Sequence, residues 1–349
     1  MKVMVTGGSG FVASHLVDHC LKQGDEVAVT IRWNEDLSRM EPYKDKVKIY
    51  HCELTDLSSI IRAINDFRPD VISHLGAQSW VPYSFENPIY TMDVNAIGTL
   101  NILEAVRIIQ DIDKKNAVQY AILYSPAERI LIKYNPLIHI CSSSEFYGKV
   151  PKENQPITTN HPASPMNPYG VGKVSADLMA QLYEKYYDMR ILITRMFTHT
   201  GPRRTMMSAE CFYAKRIAEI EKEQSVAPGV VVPICEISLG NMNSIRTWRD
   251  VRDAVTDYYQ LFKEEKTGIY NISGDTTKSI QEVLDYLLSI SRLNKENIRF
   301  EVDSKLLRKI DVDCQYADIS KFKEEIEQTK NYTFEETMQD LLDYWRENV

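Results

Sequence analysis

The sequence predicts an α/β fold in which helices cover both faces of a doubly wound parallel sheet. Two observations carry this prediction. A short apolar strand that begins at Lys2 runs into a glycine-rich turn and then into an amphipathic helix. Apolar, strand-like segments then alternate with helix-like segments through the first half of the 349-residue chain. Because such alternation produces parallel strands joined by helices, we expect a Rossmann-type sheet followed by a smaller α/β domain.

In chain order, the patterns predict strands at 26–31, 47–52, 70–75 and 137–142 and helices at 57–67 and 95–109. Residues 111–136 interrupt this order, since a short loop is expected between a helix and the next strand. The segment is too apolar to be disordered, and it is predicted to be either an extra helix or a contact surface for another subunit. After residue 195 the alternation weakens, and amphipathic helices are expected at 281–290 and 334–345.

Composition and charge exclude several classes of protein. The net charge of −8 argues against a general nucleic-acid surface, and no apolar run is long enough to span a bilayer. The first strand begins at residue 2, which leaves no room for a signal peptide. The six cysteines form no C-x-x-C pair and no metal-ligand spacing. We therefore expect a cytoplasmic protein with buried free thiols, without a metal site, and with neither nucleic acid nor membrane as a partner.

The turn after the first strand predicts a dinucleotide site. Its spacing is Gly-x-x-Gly-x-x-Ala, with Gly7, Gly10 and Ala13 at the small positions. Gly7 can adopt backbone angles that other residues avoid, and Gly10 lets a pyrophosphate approach the backbone at the start of the helix. An ordinary strand-to-helix turn would also contain glycines. The second strand at 26–31 supplies the context that favours a dinucleotide.

The end of the second strand predicts which dinucleotide binds. An Asp or Glu there would bond the ribose hydroxyls of NAD, whereas this chain has Thr30-Ile31-Arg32-Trp33. Arg32 suits a 2′-phosphate, so NADP is favoured and NAD remains possible. The alternative is that Arg32 is a solvated loop residue.

Small and polar residues follow the fourth strand. Gly76 and Ala77 would let a cofactor lie against the backbone at the edge where the strands end. The polar groups of Gln78, Ser79 and Ser84 are then expected to face the cleft. A plain surface loop would explain the polarity but not the two small residues directly after a buried strand.

A serine run and a Tyr-x-x-x-Lys pair predict the chemistry. Ser143 and Glu145 directly follow the strand at 137–142. Tyr169 and Lys173 lie one helical turn apart on a helix that begins near Pro168. A cation beside a phenol favours the phenolate, so Tyr169 is a candidate acid/base. The hydroxyl of Ser143 is suited to orienting the substrate oxygen that the phenolate deprotonates.

These features together resemble the extended short-chain dehydrogenase/reductase superfamily. Within it, the chain is similar to GDP-mannose 4,6-dehydratase and its close relatives, at 75–79, 84–86, 90–91, 93–94, 96–100, 143–145, 147–150, 199 and 201–204. The resemblance covers nearly the whole chain apart from 111–136. It implies a dinucleotide-binding domain formed by 1–195 and 238–268 and a nucleotide-sugar-binding domain formed by 196–237 and 269–349.

The resemblance also implies roles for particular residues. It makes Ser143, Glu145, Tyr169 and Lys173 catalytic. The positions that would bind the cofactor are Gly7, Gly10, Phe11, Val12, Arg32, Glu53, Leu54, Leu75, Ala77, Ser79, Tyr90, Tyr169, Lys173, His199 and Arg204. The positions that would bind the substrate are Ser84, Thr198, Arg216, Arg246 and Arg308. For each of the arginines after residue 195, a solvated surface charge is the alternative. Thr198, where relatives usually have Asn, leaves the exact sugar open.

The function implied by the resemblance is that of a lyase, a nucleotide-sugar 4,6-dehydratase. It would act on a GDP-linked sugar and form a 4-keto-6-deoxy product through transient hydride transfer with bound NADP. A homodimer or homotetramer is implied as well. A C4 reductase, dehydrogenase or epimerase is the alternative within the superfamily and would not need Glu145 as a base. A catalytically silent NADP-binding subunit is the alternative of a different class.

Overall fold

The computed structural model describes residues 1–123, 134–224, 234–306 and 312–349. The chain divides into two compact units, each assembled from separate segments. The first unit comprises Met1–Phe146, Pro165–Arg195 and Tyr258–Tyr270. The second unit comprises Tyr147–Ser164, Met196–Asp257 and Asn271–Val349.

A seven-stranded sheet forms the centre of the first unit. Its strands, in spatial order, are β3 (Lys48–His51), β2 (Glu26–Ile31), β1 (Lys2–Thr6), β4 (Val71–His74), β5 (Leu137–Ser143), β6 (Arg190–Met196) and β10 (Gly268–Ile272). The pairs β1–β2, β2–β3, β1–β4 and β4–β5 are parallel. The order 3-2-1-4-5-6 is that of a doubly wound sheet, so the predicted fold class is confirmed.

Helices pack on this sheet and bury its apolar side chains. They are α1 (Phe11–Lys22), α2 (Leu57–Phe67), α3 (Val81–Glu86), α4 (Pro88–Met92), α5 (Gly98–Leu123), α6 (Pro168–Tyr187) and, from Tyr258 onward, α8 (Val251–Lys263). Ile64 of α2 and Val106 of α5 are fully buried in one cluster with Ile138 of β5. Asp56 caps α2 by accepting the N–H of Ser58, and Asn167 caps α6 in the same way through the N–H of Gly170.

The predicted elements differ most from the structure around α5. A π-helical turn at Asp93–Ile97 precedes α5, and α5 continues to Leu123, well beyond the predicted end at 109. Arg107 bonds Glu104 and Asp111 on successive turns, and Arg68 holds Asp113 with two hydrogen bonds. These ion pairs support the added turns. Of the two alternatives left open for 111–136, the helical one is therefore confirmed for 111–123, which continue α5, whereas 124–133 lie outside the described residues.

The second unit is built from two smaller sheets and several helices. The first sheet contains β7 (His199–Thr200), β9 (Ile245–Asp250), β11 (Thr276–Ser279) and β13 (Cys314–Gln315); the second pairs β8 (Cys235–Leu239) with β12 (Ile298–Val302). The helices are α7 (Ala209–Gln224), α9 (Ile280–Ser289), α10 (Ser320–Glu325) and α11 (Phe334–Asn348). Ile217, Leu287 and Leu341 are fully buried in the cluster that joins α7, α9 and α11.

The unit boundaries differ from the domain boundaries expected from the resemblance. Residues 238–257 were assigned to the first domain, but β9 pairs with β7, β11 and β13 and so belongs to the second unit. Residues 147–164 also belong there. Gln155 donates to the carbonyl of Cys314, and the carbonyl of Ile157 accepts from the side chain of Asn271. Sheet pairing decides the assignment of β9, and hydrogen bonds between distant segments decide that of 147–164. Local patterns reveal neither.

Two further observations concern the chain as a whole. The part of the chain that the structure describes has no helix that is both long and apolar enough to cross a membrane. All six cysteines lie within that part and are free thiols, and only Cys141 among them is half-buried rather than buried.

Candidate active site

The turn after β1 packs tightly against the end of β4. Gly7 has a φ of +68°, and a Cβ at this position would lie 2.7 Å from the Cα of Gly76. The N–H of Gly76 donates to Oγ1 of Thr6 over 3.0 Å, which holds the two strand ends together. A Cβ on Gly10 would lie 3.0 Å from the carbonyl oxygen of Gly7. Position 7 therefore requires glycine, and Gly10 leaves little room for a side chain, in line with the turn spacing.

The first turn of α1 follows directly and carries no side-chain cap. Gly10 is the N-cap in an extended conformation and has no side chain with which to cap the helix, and the first turn contains no acidic residue. Phe11 and Val12 are half-buried in this turn. Backbone N–H groups and the positive end of the helix dipole thus face the turn, which fits the pyrophosphate of a dinucleotide.

A buried histidine supports this turn, and the sequence analysis did not identify it. His74 lies at the end of β4; its Nδ1 is 2.8 Å from Oγ1 of Thr6, and its Nε2 is 3.1 Å from Oγ1 of Thr99. Burial lowers the pKa of His74 to about 3, so the ring is neutral at neutral pH. The ring therefore joins β1, β4 and α5 without placing a charge beneath the turn.

The loop after β4 is held by Asn95, which also lay outside the predicted site. Asn95 accepts the N–H of Gln78 over 2.8 Å and donates to the Gln78 carbonyl over 2.9 Å. Leu75 and Ala77 are half-buried beside Gly76, and Ser79 is exposed. The expectation that Ser84 faces the cleft is wrong. Its side chain is fully buried, and its hydroxyl donates to the carbonyl of Val81 within α3.

The predicted 2′-phosphate residue is already paired. Arg32 donates through Nε and Nη2 to the two carboxylate oxygens of Glu35, at 3.0 and 2.8 Å, and through Nη1 to the hydroxyl of Tyr90 at 3.1 Å. The hydrogen bond from Arg32 lowers the pKa of Glu35. Arg32 and Tyr90, two predicted cofactor contacts, thus lie together at the end of β2. The guanidinium is about half exposed, with a side-chain exposure of 53%, but its charge is countered by its own neighbour.

The residues after β3 are close to the same turn. The side chain of Leu54 lies 3.1 Å from where a Cβ of Gly76 would stand, and its carbonyl accepts from Asn101 over 2.8 Å. Glu53 is exposed. Leu54, a predicted cofactor contact, therefore packs against Gly76 at the base of the glycine turn.

The predicted catalytic residues come together at the end of β5 and the start of α6. Lys173 is buried, and its Nζ donates to the carbonyl of Cys141 over 2.8 Å. Burial lowers the pKa of Lys173. The same Nζ lies 6.0 Å from the ring centroid of Tyr169, which is half-buried. A buried amine is thus fixed beside the phenol on one face of α6.

Ser143 and Glu145 approach this pair from β5. The Oγ of Ser143 accepts the N–H of Glu145 over 3.2 Å, so its hydroxyl proton is directed away from that bond. Glu145 is half-buried, and its Oε2 accepts from Nδ2 of Asn167 over 2.7 Å. A hydroxyl, a carboxylate, a phenol and an amine are therefore held by one strand end and one helix, a set suited to proton transfer.

The candidate arginines of the second unit are already engaged by acceptors. Arg204 pairs with Glu210 at 2.7 Å, and Arg216 pairs with Glu219 and Glu223 on its own helix at 3.4 and 3.2 Å. Arg246 donates to two backbone carbonyls, those of Ile245 and Val312, at 2.8 Å each. These arginines therefore have acceptors within their own unit.

The remaining candidates of this unit lie near β7. The carbonyl of Thr198 accepts the N–H of Arg249 over 3.1 Å, and Nδ1 of His199 lies 3.1 Å from the carbonyl of Phe197. Both residues are half-buried. Arg308, the remaining predicted substrate residue, lies outside the described residues.

A doubly wound sheet with this glycine turn and this strand-and-helix set of proton-transfer groups defines the class, an extended short-chain dehydrogenase/reductase. A family model described as GDP-mannose 4,6 dehydratase matches residues 4–341. The chain belongs to that family.

A sequence relative agrees with this placement, and two solved structures share the fold. "GDP-mannose 4,6 dehydratase 1" of Arabidopsis thaliana is 28% identical over 97% of this chain and 88% of its own length. The structure of UDP-glucose 4-epimerase from Thermus thermophilus in complex with NAD has a TM-score of 0.79 at 24% identity and covers 100% of both chains. The structure of RMD from Pseudomonas aeruginosa with NADPH has a TM-score of 0.75 at 21% identity, over 100% of this chain and 99% of its own. These two structures are similar in fold.

Proposed function

We propose that this chain is a nucleotide-sugar 4,6-dehydratase that acts on a GDP-linked hexose and forms a 4-keto-6-deoxy sugar nucleotide. The observation that carries the proposal is the position of Glu145. Its carboxylate is held by Asn167, the N-cap of the helix that carries Tyr169 and Lys173, and a base for the C5 hydrogen of the sugar is needed near that pair. Membership in the GDP-mannose 4,6 dehydratase family supports the nucleotide and the reaction class.

The first unit would hold an NADP cofactor. Gly7, Gly10 and the first turn of α1 would bind the pyrophosphate, and Arg32 with Tyr90 would bind the 2′-phosphate end of the dinucleotide. When bound, the nicotinamide supplies a hydride acceptor and donor for the sugar, which leaves no net redox change. The closed glycine turn and the uncapped helix support this assignment.

The proton chemistry at C4 falls to Tyr169, Lys173 and Ser143. Tyr169 would take the proton of the sugar's 4-hydroxyl. Because the product keeps its 4-ketone, this proton would not go back to the 4-oxygen, and it would be available for C5 when hydride returns to C6. Lys173, held by its bond to the carbonyl of Cys141, would stabilise the phenolate by its charge. The hydroxyl of Ser143 would donate a hydrogen bond to the 4-oxygen and so orient it for proton transfer.

Glu145 would carry out the elimination. A 4-ketone acidifies the neighbouring C5 hydrogen, and the carboxylate of Glu145 would remove it as a proton. The electron pair of that C–H bond becomes the C5–C6 double bond as hydroxide leaves C6, and the proton held by Glu145 leaves with it as water. A reductase, dehydrogenase or epimerase that works only at C4 needs no such base.

The decisive experiment follows GDP-mannose turnover in deuterium oxide. We expect the wild-type product to have lost one water and to carry deuterium at C5, as read by mass spectrometry and proton NMR. Glu145→Gln should lower water loss by about 10²–10⁴-fold, the usual contribution of a positioned base. The matched control is Glu153→Gln, which removes an exposed carboxylate of the second unit and should leave the rate unchanged.

Two outcomes would contradict the proposal. A wild-type product without water loss and without C5 deuterium would assign the chain to C4 chemistry alone. A Glu145→Gln variant with wild-type water loss would assign the base to another residue.

We propose that the chain acts as a homo-oligomer. Leu178, Leu182 and Tyr186 recur at intervals of four residues on α6 and are 52, 52 and 76% exposed, which forms one apolar stripe suited to a second copy of the same helix. Sedimentation velocity should give a species larger than 40.3 kDa. Leu182→Glu should shift it toward the monomer, and a wild-type monomer would contradict the proposal.

A further inference from the structure

Asn167 makes two hydrogen bonds through the two ends of one amide group. Its Oδ1 accepts the N–H of Gly170 over 2.7 Å, which caps α6. Its Nδ2 donates to Oε2 of Glu145 over 2.7 Å. Because the oxygen can only accept and the nitrogen can only donate, both bonds are satisfied in a single orientation of the amide. Asn167 is 9% exposed, so the group is also fixed by packing.

The backbone reinforces the same junction. A Cβ on Gly170 would lie 3.0 Å from the carbonyl oxygen of Glu145 and 3.3 Å from Oδ1 of Asn167. The absence of a side chain at Gly170 therefore lets the backbone of Glu145 approach the first turn of α6 closely. The carboxylate of Glu145 and the helix that carries Tyr169 and Lys173 are joined at two levels, through backbone packing and through the Asn167 amide.

The two oxygens of the Glu145 carboxylate are in different environments. Oε2 is engaged by Asn167, whereas Oε1 has no hydrogen-bond partner within the described part of the chain. A base held through one oxygen presents the other in a defined direction. Misplacing such a group by about 1 Å can cost on the order of 10²-fold in rate.

We propose that Asn167 is a positioning residue for the elimination step, which aligns the Glu145 carboxylate with the proton-transfer groups of α6. The inference rests on the proposed function, because it assigns Glu145 the role of base. A helix cap alone would require only Oδ1, and serine or aspartate would serve equally well at that position. The donor end of the amide is the part that a cap does not explain.

Two variants separate positioning from capping. Asn167→Ser keeps a good N-cap residue but is too short to cap α6 and reach Glu145 at once. Asn167→Asp keeps the shape and the capping oxygen, loses the donor, and places a like charge beside Glu145. We expect both variants to melt near the wild-type temperature. We also expect both to lose about tenfold to 10²-fold in kcat for water loss while KM stays within about threefold.

The pH dependence gives a readout that a purely structural role would not move. A like charge favours the protonated form of a carboxyl group. In Asn167→Asp the acid limb of the kcat profile, where the base must lose its proton, should therefore move to higher pH. Asn167→Ser adds no charge, so its limb should move less. The control is Asp56→Ser, which alters the cap of α2 away from Glu145 and should change neither kcat nor the limb.

A second measurement does not depend on turnover. The ¹³C carboxyl signal of Glu145, assigned by its loss in Glu145→Gln, is titrated in the wild type and in Asn167→Asp. We expect its titration midpoint to rise in the variant. An unmoved midpoint, or kcat within twofold of the wild type in both Asn167 variants, overturns the positioning role. If the midpoint moves but the wild type loses no water from any GDP-hexose, the proposed function fails and the contact stands.

Discussion

The proton-transfer groups of the first unit and two arginines of the second unit, Arg204 and Arg216, are held in different ways. Lys173 is bonded to a backbone carbonyl and Glu145 to an amide, and neither has an ion pair among the described residues. Arg204 and Arg216, in contrast, are paired with carboxylates of their own unit. An opposite charge at contact strongly stabilises one protonation state, whereas a neutral hydrogen-bond partner biases it less.

This difference gives a criterion for separating charged residues that take part in chemistry from those that stabilise the fold. A charged residue with a neutral partner is available for chemistry, and one with a charged neighbour within its own helix serves the fold first. Arg32 stands between these cases. It reaches Tyr90, another candidate cofactor contact, yet its charge is balanced by Glu35.

The largest effect is expected for the proton-transfer groups of the first unit. Tyr169→Phe removes the phenol oxygen with little change in volume and should lower turnover by about 10²–10⁴-fold. Nucleotide-sugar binding, measured by calorimetry, should stay near the wild-type value. Tyr187→Phe is the matched control on the same helix, since Tyr187 is 39% exposed and lies outside the stripe of Leu178, Leu182 and Tyr186. Activity of Tyr169→Phe within about threefold of the wild type would assign the acid/base role elsewhere.

An intermediate effect is expected at Arg32. Arg32→Ala should weaken NADP binding by about tenfold, which is about 1.4 kcal/mol, and leave NAD binding nearly unchanged. Glu35→Gln should tighten NADP, because the guanidinium is then free of its competing carboxylate. Dissociation constants of the nucleotide-free protein for both dinucleotides test the pair. Equal losses for NADP and NAD in Arg32→Ala would show that Arg32 does not read the 2′-phosphate.

The smallest effect is expected in the second unit. Arg216→Ala should change the KM for the nucleotide sugar by less than about threefold, and it should barely alter stability, because partly exposed ion pairs contribute about 0–1 kcal/mol. Steady-state kinetics and thermal melting measure both quantities. A tenfold rise in KM would contradict the view that Arg216 is occupied by its own carboxylates. It would mean that Arg216 leaves Glu219 and Glu223 to bind the diphosphate.

Patterns that lie within one element were predicted well. The bounds of β2 and α2 agree with the prediction, because alternation and helical periodicity are local properties of the chain. The glycine positions of the turn after β1 follow from its spacing, and Tyr169 and Lys173 share a face of α6 because they are one helical turn apart. The fold class follows from the order of such elements, since few topologies satisfy a strict alternation of strands and helices.

Contacts between distant segments were decided by the tertiary structure. Thr6 and His74 are 68 positions apart, and Glu145 and Asn167 are 22 apart, so no local period relates them. The burial of Ser84, the carboxylate that Arg32 faces and the unit that contains β9 likewise depend on how the chain is packed. The sequence by itself determined which chemical groups are present and which strand or helix carries them. Only the tertiary structure decided which partner each group has, because hydrogen bonds and burial depend on distances that the path of the chain sets.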